Sequence, residues 1–98
     1  MDYCIILAPR AVADLEDIVR YIALYNPEAA RNLGQKLLKK TKELSQFPMK
    51  GQKVPEFNDP CIRQLTLKPY RIVYRIEEDK KQISIARFWH ASQENLEI

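Results

Sequence analysis

The residues of this chain that could act on a charged partner are unevenly distributed. The chain carries 16 lysines and arginines against 13 aspartates and glutamates, a formal net charge of +3 over 98 residues. Ten of the basic residues lie between Lys36 and Arg75, where the only acids are Glu43, Glu56 and Asp59. A local positive excess of this kind suits an anionic partner, either a nucleic acid or an acidic protein segment. The same residues could instead form an ordinary solvated surface.

Metal chemistry has few residues to work with. The two cysteines, Cys4 and Cys61, are far apart and lack CxxC spacing, and His90 is the only histidine. A structural zinc site takes about four Cys or His ligands, so we expect neither a metal nor another cofactor. Both cysteines lie in apolar, strand-like stretches, which predicts buried free thiols. The sequence shows no signal peptide and no apolar run of membrane length, which predicts a cytoplasmic protein.

The first half of the chain predicts two helices. Pro9 suits a first helical turn. Apolar residues follow it at helical spacing: Ala11, Leu15, Ile18, Ile22 and Tyr25. The run Asn26-Pro27-Glu28 supplies an N-cap, a first-turn proline and an acid near the positive helix end, so a second helix starts here. A link this short predicts an antiparallel helix hairpin.

Strand-like segments flank these helices. The apolar run Tyr3–Leu7 predicts a first strand that is buried on both faces. A proline-containing loop over residues 50–60 follows the second helix. Alternating apolar and polar residues then predict three more strands: 61–67, 70–76 and 83–89. This order predicts one α+β domain spanning residues 1–98, with the helices packed on one face of the sheet and the last three strands forming an antiparallel meander.

Alternation also assigns a face to each side chain of the last two strands. One face of the first of them is apolar: Tyr70, Ile72, Tyr74 and Ile76. Arg71 and Arg75 then share the opposite face. In the last strand two sets alternate, Ile83, Ile85, Arg87 and Trp89 against Ser84, Ala86, Phe88 and His90. Because Phe88 and Trp89 are adjacent, at least one should lie in the core, and the other could stack on a nucleobase.

Four segments of the chain resemble, in order and at the right spacing, the toxins of the RelE/ParE superfamily. These segments are APRAVADLEDIVRYI, FPMKGQKVPEF, IRQLTLKPYRIVYRIEE and ISIARFWHA. The resemblance covers almost the whole chain. It implies the toxin of a type II toxin–antitoxin, or plasmid stabilisation, system. It also implies neutralisation by a cognate acidic antitoxin, with which the toxin would form a hetero-oligomer.

The resemblance implies one of two modes of action. RelE-like and YoeB-like members cleave messenger RNA at the ribosome, whereas ParE-like members poison DNA gyrase. Glu56, Arg71 and His90 occupy positions that match the acid, the arginine and the histidine of the YoeB-like branch. RNA cleavage through the 2′-hydroxyl needs a base, an acid and a cation on the phosphorane, which this trio could supply. The alternative is a solvated loop carboxylate, an ordinary strand arginine and a locally bonded histidine.

Departures from the family patterns favour the ParE-like branch. RelE-like enzymes carry extra lysines where this chain has Ile62, Gln64 and Thr66, and an arginine where Ser92 stands. The pair His90-Ala91 fits the first half of the ParE-like pattern, a histidine followed by a small residue, whereas Ser92-Gln93 stands where that pattern continues with one or two arginines. We therefore expect gyrase inhibition, with ribosome-dependent mRNA cleavage as the alternative. A second alternative is a non-toxic remnant that still binds its antitoxin.

Two sets of contact residues are predicted. The set expected to contact the target or a phosphate is Arg63, Arg71, Arg75 and Arg87. The set expected to contact the antitoxin is Leu33, Lys36, Leu37, Lys39 and Lys40. The first set places cations on the strands, and the second combines the basic and apolar positions of the second helix. No residue is assigned to a metal.

Overall fold

Two helices and five strands form the part of the chain that the computed structural model describes, residues 2–98. In chain order they are β1 (Cys4–Leu7), α1 (Pro9–Ala23), α2 (Pro27–Lys42), β2 (Gln52–Lys53), β3 (Ile62–Leu67), β4 (Tyr70–Glu77) and β5 (Gln82–His90). Short 3₁₀ turns lie at Glu43–Ser45 and Glu78–Lys80. The predicted order of a strand, a helix hairpin and three strands is confirmed, and β2 is an addition inside the predicted loop. Neither helix is long and apolar enough to cross a bilayer.

Both helices begin where the sequence predicts. Pro9 opens α1 directly after Ala8, whose backbone is extended. Asn26 caps α2, because its side chain accepts a hydrogen bond of 3.1 Å from the Ala29 N–H. Such a cap satisfies one of the N–H groups that have no partner in the first turn of a helix. The two helices pack against each other and against the sheet.

The strands form one sheet in the order β1-β5-β4-β3-β2. β3, β4 and β5 make the predicted antiparallel meander, while β1 runs parallel to β5 and β2 antiparallel to β3. The side chains of Ile5 and Leu7 pack against the helix-covered core, whereas Cys4 and Ile6 point to the other side and are exposed, so the prediction of a strand buried on both faces is wrong. Cys61 is also exposed, since it precedes β3. The prediction of buried thiols is therefore wrong for both cysteines.

A β-bulge in β5 changes which side chains share a face. Val73 of β4 pairs with Arg87, but the next residue, Tyr74, pairs with Ile85, so Ala86 has no partner. An extra residue of this kind reverses the alternation beyond it. Phe88 therefore joins Ile85 on the helix-covered side. The predicted grouping of Arg87 with Ile85 in β5 is wrong for this reason.

Each side of the sheet has its own core. The side covered by the helices buries Ala11, Leu37, Leu44, Leu65, Tyr70, Ile72, Tyr74, Ile76, Ile83, Ile85 and Phe88. The other side buries Val54, Ile62, Val73, Trp89 and Leu96, with Phe57 and Ile98 packed against them. Segment 54–60 and the C-terminal residues thus close the side that the helices leave open. Phe88 and Trp89 are both buried, which leaves neither ring free to stack on a nucleobase.

Candidate functional site

Glu56 and Arg71 form a bidentate ion pair on the loop-covered side of the sheet. The Arg71 Nη1 and Nη2 atoms each donate to one Glu56 carboxylate oxygen at 2.8 Å. The Arg71 Nε atom donates to the Gln64 side chain. The hydrogen bonds from Arg71 hold the pKa of the Glu56 carboxyl below its usual range. This pair fastens segment 54–60 onto β4.

His90 lies on the opposite side of the sheet from this pair. It stands across from Tyr70 in the ladder, and the two rings make an edge contact with centroids 5.3 Å apart. Tyr70 belongs to the helix-covered core, whereas the adjacent Arg71 points to the other side. The His90 Nδ1 atom accepts a hydrogen bond of 3.0 Å from the Ser92 N–H. The structure therefore brings Glu56 and Arg71 together and leaves His90 apart from them.

The positions of Glu56, Arg71 and His90 do not suit cleavage of RNA in this conformation. A general base works best with a pKa near the operating pH, whereas Arg71 lowers the pKa of Glu56. The carboxylate also occupies both terminal nitrogens of Arg71, which a phosphate would otherwise use. An acid and a base that share one phosphodiester must reach it together. Glu56 and His90 lie on different sides of a sheet, so this conformation does not present them to one substrate.

The four arginines predicted to contact a target do not converge on one surface. Arg63 lies on the helix-covered side and donates to the Gly51 carbonyl at 2.9 Å. Arg75 is exposed on the same side as Arg71 and forms no ion pair with residues 2–98. Arg87 is only 9% exposed. It is already engaged inside the protein, and we leave it out of the candidate site.

Asp14 of α1 is the partner of Arg87. Its carboxylate accepts from the Arg87 Nε at 2.7 Å and from Nη2 at 2.9 Å. It also accepts from the Phe88 N–H at 3.0 Å, which has no strand neighbour beyond the end of β1. The remaining nitrogen, Arg87 Nη1, donates to the Glu97 carbonyl at 2.9 Å. Asp14 and Arg87 together thus join α1, β5 and the C-terminal residues.

The residues of α2 predicted to contact an antitoxin divide into exposed and buried ones. Lys36 and Lys39 are exposed and line a shallow groove with Asn32 and Gln35. Lys40 is half-buried and lies 3.8 Å from Glu43. Leu33 is half-buried against the helix-covered core. Leu37 has no exposed surface, because it packs between the helices and the sheet, so the expectation that it contacts a partner does not fit.

The turn 46–50, between α2 and β2, presents an apolar surface that was not predicted from the sequence. Phe47 and Met49 are 61% and 58% exposed. Together with Gln46, Pro48 and Lys50 they line an open hollow of 660 Å³. The available signal in the sequence was a pair of large apolar residues flanking a proline outside any periodic pattern. We call residues Gln46–Lys50 the apolar turn.

The side chain of Tyr74 in β4 bonds the backbone of the apolar turn. Its hydroxyl donates to the Pro48 carbonyl at 2.8 Å and accepts from the Gly51 N–H at 2.9 Å. Tyr74 is fully buried, and burial raises the pKa of its hydroxyl, which therefore remains a donor at neutral pH. Gly51 leaves room for this contact, since a Cβ there would lie 2.6 Å from the Tyr74 oxygen and 2.5 Å from the Gln64 carbonyl. The turn is thus fixed to the sheet.

The described residues offer little to a metal ion. Within residues 2–98, no three His, Cys, Asp or Glu side chains come close enough together to hold one. The two bidentate arginine pairs use Asp14 and Glu56 internally. The expectation that the protein needs no metal remains a prediction.

The sequence matches one protein family over nearly its whole length. Residues 5–95 match the model of the ParE toxin of the type II toxin–antitoxin system parDE. The chain belongs to the ParE toxin family. The fold agrees with the α+β architecture that the RelE/ParE resemblance implies. No curated protein matches this ParE-family toxin in sequence.

Several solved structures are similar to this ParE-family toxin. The chromosomal ParDE system of P. aeruginosa matches with 30% identity and a TM-score of 0.73, over 90% of this chain and 95% of that one. The RelBE2 toxin–antitoxin complex of Mycobacterium tuberculosis matches with 18% identity and a TM-score of 0.69, over 95% of each chain. A mutant of E. coli RelE in the free state matches with 19% identity and a TM-score of 0.67, over 94% of this chain and 86% of that one. At such identities the two RelE-type matches speak to the fold alone.

Proposed function

We propose that this chain arrests growth by inhibiting DNA gyrase and that a cognate antitoxin neutralises it. The observation that carries the proposal is the match of residues 5–95 to the ParE toxin of parDE. The likeness to a ParDE system at 30% identity supports the same branch. Gyrase acts on DNA inside the cell, so we also propose that the toxin acts in the cytoplasm.

The arrangement of the predicted catalytic trio supports gyrase over messenger RNA as the target. Arg71 is held by Glu56, and His90 lies across the sheet from both. Cleavage of RNA by this trio would require a rearrangement that breaks the bidentate pair and brings the histidine to the other side. Inhibition of a protein target requires only a complementary surface. Gyrase inhibition therefore requires less conformational change in the toxin than RNA cleavage does.

An antitoxin partner is supported by what the similar structures contain. The RelBE2 structure is a toxin–antitoxin complex, and another E. coli RelE structure holds a peptide of the antitoxin RelBc. The exposed lysines of α2 supply a surface that would complement an acidic segment. We propose that the active toxin and its antitoxin form a hetero-oligomer in which this surface is covered.

Paired assays of supercoiling and translation test the target. We expect induction of the chain alone to stop growth, and the toxin to block supercoiling by purified gyrase without cutting mRNA in a translating extract. His90→Ala should retain growth arrest. Cleaved mRNA, with loss of cleavage in Glu56→Gln and His90→Ala, would establish the ribonuclease alternative instead. Unimpaired growth despite confirmed accumulation of the folded chain would identify a non-toxic remnant.

A further inference from the structure

Two groups of large apolar side chains are exposed on this toxin, and they differ in how they are held. The first lies at the tip of the helix hairpin, where Tyr21, Leu24 and Tyr25 are 64%, 75% and 77% exposed. The second is the apolar turn, with Phe47 and Met49. At the tip, Tyr21 and Tyr25 touch only edge to face, with ring centroids 5.7 Å apart. The apolar turn is instead fastened to the sheet.

The fastening of the apolar turn involves buried polar groups. The Lys50 N–H donates to the Phe47 carbonyl at 3.1 Å, which closes a β-turn with Pro48 in its second position. The buried Tyr74 hydroxyl bonds the turn at Pro48 and Gly51, and Arg63 donates to the Gly51 carbonyl. Buried hydrogen bonds fix geometry strongly, because a buried donor or acceptor that loses its partner costs free energy. The network therefore fixes the backbone of the turn, from which the Phe47 and Met49 side chains project into water.

An apolar turn with a fixed backbone is suited to binding because it loses little backbone entropy when a partner arrives. Ordering a flexible loop at an interface costs free energy, and a turn that is already held in place avoids that cost. Large apolar side chains in such positions are typical centres of binding energy. The hollow of 660 Å³ beside Phe47 and Met49 has room for an aromatic or long aliphatic side chain from a partner.

The charges around the apolar turn indicate what kind of partner fits. Residues 39–53 contain five lysines and a single acid, Glu43. Glu43 lies close to both Lys40 and Lys50, so the one negative group is already neutralised. The other lysines of this range form no ion pair within residues 2–98: Lys39, Lys42 and Lys53. The segments that flank the apolar turn in the chain therefore carry unpaired positive charge, which complements an acidic segment.

We propose that the apolar turn is the anchor point for an acidic segment of the antitoxin that carries an aromatic or long aliphatic residue. That residue enters the hollow beside Phe47 and Met49, while neighbouring carboxylates meet the lysines of residues 39–53. The inference rests on the proposed function, since it assigns a place on this toxin to its antitoxin. It moves the main contact from the middle of α2, where Leu37 is buried, to the segment that follows α2.

Titration calorimetry with matched variants tests this assignment. The toxin is separated from its coexpressed antitoxin, refolded, and titrated with the antitoxin encoded beside it. The variant Phe47→Ser/Met49→Ser removes the exposed surface, and Tyr21→Ser/Tyr25→Ser removes a still more exposed pair at the hairpin tip. We expect roughly a 100-fold loss of affinity in the first variant and less than about a 3-fold change in the control. Far-UV circular dichroism and thermal unfolding verify that both variants fold.

The variant Tyr74→Phe tests the fastening separately. It removes one buried hydroxyl without altering residues Phe47 and Met49. If the hydroxyl served stability alone, the variant would unfold more easily but would bind the antitoxin with unchanged affinity. We expect roughly a 10-fold weaker complex, because a mobile turn must be ordered on binding. The association rate of the unaltered toxin should fall as salt rises. An association rate indifferent to salt would contradict the assigned acidic partner.

The outcomes separate this proposal from the proposed function. If the unaltered toxin binds no antitoxin, both fail. If it binds tightly and Phe47→Ser/Met49→Ser binds equally well, only the anchor point is wrong. A larger loss in Tyr21→Ser/Tyr25→Ser would move the contact to the hairpin tip and overturn the proposal. Unchanged affinity in Phe47→Ser/Met49→Ser together with lost growth arrest would assign the apolar turn to the target, which also overturns it.

Discussion

Two arginine–carboxylate pairs of similar geometry each join separate elements of this fold, and they differ mainly in burial. In the pair of Asp14 with Arg87 the side chains are 16% and 11% exposed. In the pair of Glu56 with Arg71 they are 40% and 19% exposed. The first joins α1 to β5, and the second holds segment 54–60 against β4.

The difference in burial gives the two pairs different expected roles, one in the stability of the fold and the other at the surface. Removing one partner of a largely buried pair leaves an uncompensated charge that water solvates poorly, whereas an exposed partner is simply resolvated. Asp14 also accepts a hydrogen bond from the Phe88 backbone, so its loss would affect the sheet itself. Glu56 fastens a loop that could open without disturbing the helix-covered core. We expect the first pair to determine stability and the second to be the one that a partner can compete for.

The largest effect should come from Asp14→Ala. The change leaves the Arg87 guanidinium without its carboxylate and the Phe88 N–H without an acceptor, so we expect the free energy of unfolding to fall by about 3 kcal/mol. Asp17→Ala is the matched control on the same helix. Within residues 2–98, Asp17 forms an ion pair with Arg20 alone, at 3.4 Å, and both side chains are exposed. Urea denaturation of both variants makes the comparison, and equal losses would show that burial does not distinguish these pairs.

Arg71→Ala should have an intermediate effect. It removes a bidentate contact that is partly exposed, so we expect a loss of about 1 kcal/mol with the fold intact. Arg75→Ala is the control, since Arg75 lies on the same side of the sheet and is unpaired within residues 2–98. We also expect weaker growth arrest in Arg71→Ala, because a cation is lost from the loop-covered side of β4. A large fall in melting temperature with unchanged specific activity would show that Arg71 is structural.

Much of this fold follows from local sequence signals. Asn26 with Pro27 marks the start of α2 because capping depends on neighbouring residues alone. The alternation in β4 correctly places Tyr70, Ile72, Tyr74 and Ile76 on the helix-covered side and Arg71 with Arg75 on the other. These features are local, so a single sequence contains enough to predict them.

The errors concern features that depend on a neighbouring strand. Nothing in the sequence of β5 marks Ala86 as the extra residue, because a bulge is defined by the register with β4. The apolar character of Ile5 and Ile6 does not reveal that β1 has a neighbour on one side only. β2 was missed for a similar reason, since so short a strand forms only because β3 offers its edge.

The candidate sites show the same division. The pairing of Glu56 with Arg71 could be anticipated from their matching positions in a known family, although not that His90 would lie on the other side. The apolar turn could not be found from sequence alone. Its rigidity comes from Tyr74, which lies 26 residues beyond Pro48 in the chain and reaches it only in the folded sheet.

The smallest expected effect is a dependence on pH that belongs to the exposed pair. Arg71 lowers the pKa of Glu56 below its unfolded value of 4.5, so the folded state holds this proton less tightly than the unfolded state. The resulting stabilisation is present above pH 4.5 and is lost as the pH falls through the lowered folded-state pKa. The unaltered toxin should therefore exceed Glu56→Gln in stability by about 0.5 kcal/mol at pH 7, and by less near pH 3.

Glu43 must be separated from this measurement, because Lys50 lowers its pKa in the same direction. The Glu56→Gln difference is therefore measured twice, in the unaltered chain and in a Glu43→Gln background, by urea denaturation at pH values between 3 and 7. Both differences should shrink as the pH falls, since each isolates the carboxyl that Arg71 holds. A difference that stays constant with pH would mean that the charge of Glu56 contributes nothing to folding. The pair would then hold segment 54–60 in place without stabilising the fold, unlike the buried pair of Asp14 and Arg87.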